Sequence, residues 1–349
     1  MCRKKSAATA VVAALLVCLA LAGCGQDEAT PTPASPNTPT LILYSSLSDE
    51  RVAAITEAYT QSSGVPMHYM FESAAVLIEK MRTKAHRPSA DLLLISGSGQ
   101  LVAAAESGVL RPTTAQTLLQ SIPAKMRDPD GYWFGMSVRA VAVVYDRRSI
   151  EPVELSGYSS LADEKWLGGL CLLSSGQESS RTLVASLIAI LGKREAELVV
   201  RRWQKNLAVP VFSTGGGELL LAIEAGSCEA AVVASDAVAE LYLQGRGQHI
   251  ALHWPSADDG GVQLNVTGVG VARHAENPLE AAIFVDWLAS ADGQKIMASS
   301  GNDYPVNLNV SADAPLDGWA GFDTSEIDSM QLGYLIPDVV LLNERAAYR

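Results

Sequence analysis

One arrangement recurs six times along residues 41–243 and restricts what this chain can fold into. A short aliphatic run breaks off into Ser, Gly or Asp, and a helical stretch follows at once. Residues 41–44 lead into Ser45-Ser46-Leu47-Ser48, residues 67–71 into Glu72-Ser73, and residues 91–95 into Ser96-Gly97-Ser98-Gly99. The second half repeats the scheme. Residues 170–173 lead into Ser174-Ser175-Gly176, residues 209–212 into Ser213-Thr214-Gly215-Gly216-Gly217, and residues 230–234 into Ser235-Asp236. Strands alternating with helices imply an α/β architecture with mostly parallel sheets, and two sets of three units imply two similar lobes.

The hydroxyl and carboxylate residues at these junctions have two readings. Ser, Thr and Asp cap helix N-termini by accepting from backbone N–H groups left without partners. In open parallel sheets the same junctions also converge on one crevice, where helix N-termini and side-chain donors meet a ligand. The set of junctions nominates Ser46, Ser48, Ser73, Ser96, Ser98, Ser175, Thr214, Gly215 and Asp236 as cleft residues.

The N-terminus carries a different signal. Arg3, Lys4 and Lys5 precede an almost wholly apolar stretch from Ala7 to Ala22, right for a signal-peptide core and short for a membrane span. It ends in Leu21-Ala22-Gly23-Cys24, which resembles the bacterial lipobox, where the Cys receives a lipid before cleavage. Residues 1–23 are therefore expected to be a signal peptide and Cys24 a lipid anchor. Residues 24–40 hold Pro31, Pro33, Pro36 and Pro39 without apolar periodicity and read as an extended tether. The protein is expected to be exported and held on a membrane facing the periplasm or cell exterior.

The full chain has a net charge of −12. Removing residues 1–23 takes away three cations and no acid, giving −12 − 3 = −15. Such a balance disfavours nucleic acid as a partner. Of five Cys, Cys2 and Cys18 leave with the signal and Cys24 is lipidated, so Cys171 and Cys228 remain. In an oxidising compartment they form a disulfide or stay as two buried small hydrophobes. Neighbouring first and third strands of the second lobe favour the bond. No Gly-x-Ser-x-Gly elbow, zinc-binding His pair or phosphate loop occurs, and the five His show no metal-ligand spacing.

The chain also resembles the iron(III)-type family of periplasmic solute-binding proteins. The resemblance is carried by residues 41–46, Ser89-Ala90-Asp91-Leu92-Leu93, residues 134–139, Val143-Val144-Tyr145-Asp146, Trp166-Leu167-Gly168, Asn265-Val266-Thr267-Gly268-Val269, Asp292-Gly293-Gln294 and Tyr304-Pro305-Val306-Asn307. It implies a two-lobed periplasmic-binding-protein-like fold, with lobe 1 at 41–140 plus 266–308 and lobe 2 at 141–265 plus 309–349. It further implies a ligand trapped by lobe closure, an ABC permease as partner, a monomer, no cofactor and no enzymatic activity. It adds Arg139, at the family's anion-contacting position, and Tyr304 to the expected site.

The family's iron binders supply paired Tyr, a His and a carboxylate. Here the segment after residue 234 reads Ser235-Asp236-Ala237-Val238, with no Tyr before Tyr242, and Ser48 and Ser96 replace the His and the first-lobe carboxylate. The expected ligand is therefore a small polar anion, held by the guanidinium fork of Arg139. Ferric iron, a polyamine, and a two-lobed enzyme with a Cys nucleophile are the alternatives.

Overall fold

The computed structural model describes residues 39–83 and 89–349. The signal-peptide and Cys24 expectations, and nearly all of the tether, lie outside these residues.

The first three junctions form as the sequence suggests. Strand β1 (Leu41–Ser45) leads to helix α1 (Asp49–Ser63), β2 (Met67–Phe71) to α2 (Ala74–Thr83), and β3 (Leu92–Ser96) to α3 (Ser98–Glu106). β1 pairs in parallel with β2 on one side and β3 on the other. The short β4 (Leu110–Arg111) and α4 (Gln116–Ser121) precede the longest strand, β5 (Phe134–Asp146). The second set comprises β6 (Leu170–Cys171), α5 (Glu178–Leu191), α6 (Lys193–Asn206), α7 (Gly216–Glu224), β7 (Ala230–Ala234), α8 (Ser235–Leu243) and β8 (Ile250–His253). The chain then returns through β9 (Leu264–Ala272), α9 (Pro278–Ala289), α10 (Ala291–Ser299) and β10 (Tyr304–Pro305), and ends on α11 (Ser329–Ala346).

β5 belongs to both sheets. Its first half pairs antiparallel with β9 and β10, and its second half antiparallel with β7 and β8. β9 in turn pairs antiparallel with β3 and β4. The sheets are therefore mixed rather than mostly parallel: the βα units pair in parallel and the crossing strands run against them. One expected strand is missing. Residues 209–212 make only an isolated bridge, Leu173 to Phe212. Ala208 and Phe212 donate to Leu170 and Leu172, but the donor between them would be Pro210, which has no N–H.

The core is split in the same way. One buried cluster runs from Leu41 through Phe134 to Phe284 around the first sheet, and two others cover the faces of the second, around Trp203 and around Leu219. Helix α11 spans the two parts, packing on α3 and on α5 and α6. The α3–α11 approach depends on glycine at two points. A Cβ at Gly99 would overlap Ile336, and one at Gly333 would overlap Val102 and lie 2.9 Å from the Ser98 carbonyl oxygen. A register shift in β5 between Gly135 and Ser137 frees the Met136 carbonyl, which accepts from Gln294 Nε2 at 2.8 Å. The same amide's Oε1 accepts from Val306 and Asn307, fixing the chain beyond β10.

Candidate functional site

Two adjoining chambers open between the strand ends of the two sheets. The inner one, about 200 Å³, is lined by Ser96, Asn265 and Thr267 from the first sheet and by Glu178, Gly215 and Asp236 from the second. The outer one, about 650 Å³, is lined by Ser46, Ser48, Glu50, Arg51, Glu240 and residues 299–302. Ser96, Arg139 and Asp236 belong to both, so the chambers form one cleft.

At their junction lies a charge chain. Asp303, with a fully buried side chain, accepts from Arg51 Nη2 at 2.8 Å, Ser137 Oγ at 2.6 Å and Arg139 Nε at 2.9 Å. Arg139 Nε also lies 3.4 Å from Asp236 Oδ2. Arg139, on β5, thus joins a carboxylate of the first sheet's side to one of the second. Its terminal amino groups make no hydrogen bond to a described residue, and its side chain stays 27% exposed to the cleft. The neighbouring Asp236 carboxylate, more than Asp303, raises the Arg139 pKa and keeps it charged.

Both inner carboxylates are held above the ordinary range. Burial raises Asp236, Arg139 lowers it by less, and Asp303 pushes it up further. Burial likewise raises Glu178, offset in part by the Thr182 hydroxyl and Arg181. Glu178 stands at the first position of α5 and reaches across to Gly97, where a Cβ would overlap its carboxyl group. Gly97, at φ +102°, occupies the left-handed region that favours glycine, and so does Gly215, at φ +122°. Among the described residues no cluster of three His, Cys, Asp or Glu could hold a metal ion on its own.

Residues 49–302 match the family described as bacterial extracellular solute-binding protein. The chain belongs to this family. Iron uptake proteins A1 and A2 of Synechocystis sp. are 29% and 30% identical to it, covering 93% and 90% of this chain and 92% of each relative. Among solved structures, the Trichodesmium IdiA (FutA) protein in complex with iron and citrate superposes with a TM-score of 0.82 at 29% identity, covering 89% of this chain and all of that one. The ferric binding protein from Campylobacter jejuni superposes with the same TM-score at 23% identity, covering 88% of this chain and all of that one, which bears on fold alone.

In this solute-binding protein, Ser46, Ser48, Ser96, Arg139, Gly215 and Asp236 line the cleft. Ser46 Oγ accepts from the Ser96 amide at 3.0 Å, and Ser96 Oγ shares a hydrogen bond of 2.8 Å with Thr267. Ser48 occupies the N-cap position of α1 without making a capping bond, which leaves its hydroxyl for the chamber.

The other five expected residues lie elsewhere. Ser73 is an exposed residue before α2. Ser98 is buried inside the α3–α11 contact. Ser175 lines a separate pocket with Tyr348 and Arg349 beside the C-terminus. Thr214 is exposed and bonds Glu218. Tyr304 lines a cavity on the far side of the crossing strands. At these junctions the hydroxyl turned away from the cleft, which the run of residues alone does not decide.

Sequence reading missed Glu178, Arg51 and Asp303. Glu178 carried a usable signal, a lone acid between Ser175 and Ser179 in a nominated junction. Arg51 and Asp303 are 252 residues apart and gave none. Cys171 and Cys228 are joined in the structure, with Cα atoms 5.9 Å apart. That pairing leaves neither as the free thiolate that the Cys-enzyme alternative requires.

Proposed function

We propose that the protein captures a small, oxygen-rich anionic solute in this cleft and delivers it to an ABC permease. Ferric iron enters only as a complex with such an anion. The observation that carries this reading is the pairing of opposite charges at the chamber junction. The open amino groups of Arg139 suit a carboxylate or phosphate fork. Asp236 and Glu178, a few side chains away in the same chamber, suit a hard cation riding on that anion. No tyrosine among the described residues lines either chamber, so bare Fe(III) lacks the phenolates that the family resemblance implies. The iron-and-citrate complex of the Trichodesmium relative supports a cargo of this kind.

Capture follows from the geometry. The Arg139 fork orients the anion, and the helix N-termini of α1, α5 and α8 offer positive ends around it. Drawing the two sides together removes water and strengthens each charged contact. Glu50 and Glu240 at the outer chamber favour a second reading, a polyamine held by carboxylates.

Calorimetry with citrate, Fe(III)-citrate, phosphate and spermidine tests both. Fe(III)-citrate is expected to bind more tightly than citrate, without a phenolate charge-transfer band. Arg139→Ala is expected to weaken binding by about 2–4 kcal/mol, as for a truncated buried charge contact. Tight spermidine binding that survives Arg139→Ala would establish the second reading instead. The protein is read as exported and lipid-anchored at Cys24.

A further inference from the structure

Side chains alternate faces along a strand, so the neighbours of the cleft residues point the other way. Val138 precedes Arg139 on β5, and Leu264 precedes Asn265 on β9. Both line a second cavity of about 430 Å³ behind the crossing strands, with Met126, Tyr304, Val306 and Phe322. Its volume falls in the range of small-molecule sites, about 300–1,000 Å³. It shares no lining residue with either cleft chamber.

The walls are apolar, and Phe322 is wedged between Tyr304 and Trp254 with ring centroids 5.5 and 4.7 Å apart. Lys125, Thr324 and Tyr304 bring polar groups to them. Tyr304 is 9% exposed, and its buried hydroxyl has no hydrogen-bond partner. Buried hydroxyls in native proteins are almost always paired, so this one leaves a hydrogen-bonding demand at the cavity wall that no described residue meets. Lys125, half-buried at the same cavity, donates to Thr324 Oγ1 at 3.0 Å and forms no ion pair with a described residue.

We propose that this cavity is a second ligand site for a small monocarboxylic acid with an aromatic or short branched apolar body. The body fills the space between Val138, Leu264 and Phe322. The carboxylate meets the Lys125 ammonium, and the Tyr304 hydroxyl donates to a ligand oxygen. The site stands apart from the cargo, and its existence does not depend on what the cleft binds.

Fluorine NMR titration of the purified protein with 4-fluorophenylacetate tests the proposal, with neutral 4-fluorobenzyl alcohol as comparison. Saturable binding of the acid is expected. Lys125→Met should weaken the acid about tenfold or more and leave the alcohol unchanged. Ala320→Trp, on an exposed rim residue of the cavity, should abolish binding of both while the melting temperature holds. Excess citrate should leave the probe in place. No saturable binding, full binding in Ala320→Trp, equal effects of Lys125→Met on acid and alcohol, or displacement by citrate would each overturn it.

Discussion

Asp236 sits between opposing pulls: burial raises its pKa, and Arg139 at 3.4 Å lowers it by less. The sign matters for stability. A carboxyl whose folded pKa is raised binds its proton more tightly in the folded state. Its stabilising contribution is complete below the unfolded pKa and is lost as pH rises through the folded one. Above their raised folded values, ionised Asp236 and Glu178 therefore work against folding until a cargo offsets them. Asp236→Asn is expected to raise the melting temperature of the cargo-free protein at neutral pH, with the gap to wild type closing on acidification. It is also expected to weaken Fe(III)-citrate at least tenfold, consistent with the usual trade between stability and site function. A melting temperature lowered at neutral pH would contradict the electrostatic account. Wild-type affinity for Fe(III)-citrate should fall on acidification at a higher pH than ordinary carboxylates would give, because both inner carboxyls are raised. Calorimetry across a pH series reads this directly.

At the scale of elements, two contacts hold the second set of βα units and the C-terminal helix in place. Cys171 ends the two-residue β6 and Cys228 lies just before β7, and their bond links positions 57 residues apart in sequence. Thiol titration of the denatured, unreduced protein is expected to find neither Cys free. Replacing both with Ala is expected to cost about 2–4 kcal/mol in denaturant unfolding. The α3–α11 contact tolerates no added methyl at Gly333, so Gly333→Ala is expected to cost about 1–3 kcal/mol through overpacking. An unchanged midpoint would mean that α11 shifts freely on α3. These elements also divide what the sequence discloses from what it hides. Five of the six strand–helix junctions form as read, because apolar runs and helix starts are local features. The sixth fails as a strand at Pro210, a signal present in the sequence and overridden by its aliphatic neighbours. Which hydroxyl turns into the cleft depends on rotation about the chain at each junction, so Ser48 enters while Ser98 is buried. Asp303 meets Arg139 through the pairing of β10 with β5, and Arg51 joins them from α1, which packs on α10; no local pattern encodes either contact.

At the scale of the whole molecule, charge and lipid make opposite demands. On the proposed cleavage before Cys24 the chain would carry −12 − 3 = −15 and be repelled by anionic membrane surfaces, and no helix among the described residues is long and apolar enough to cross a bilayer. If the protein stays on a membrane, the acyl chains on Cys24 must hold it, and two or more chains suffice where one is marginal. The Pro-rich stretch of residues 24–40 would then keep the acidic lobes clear of the surface. This arrangement has a distinctive salt response. Attachment through basic patches weakens as salt rises, whereas acyl attachment does not, and screening even relieves the repulsion. The native protein is therefore expected to enter the detergent phase on phase partitioning, to resist high-salt washing, and to incorporate labelled palmitate. Cys24→Ser is expected to lose the label and partition into the aqueous phase, or to remain as the unprocessed precursor. Release of the wild-type protein by salt, or palmitate in the Cys24→Ser protein, would show that something other than Cys24 holds it there.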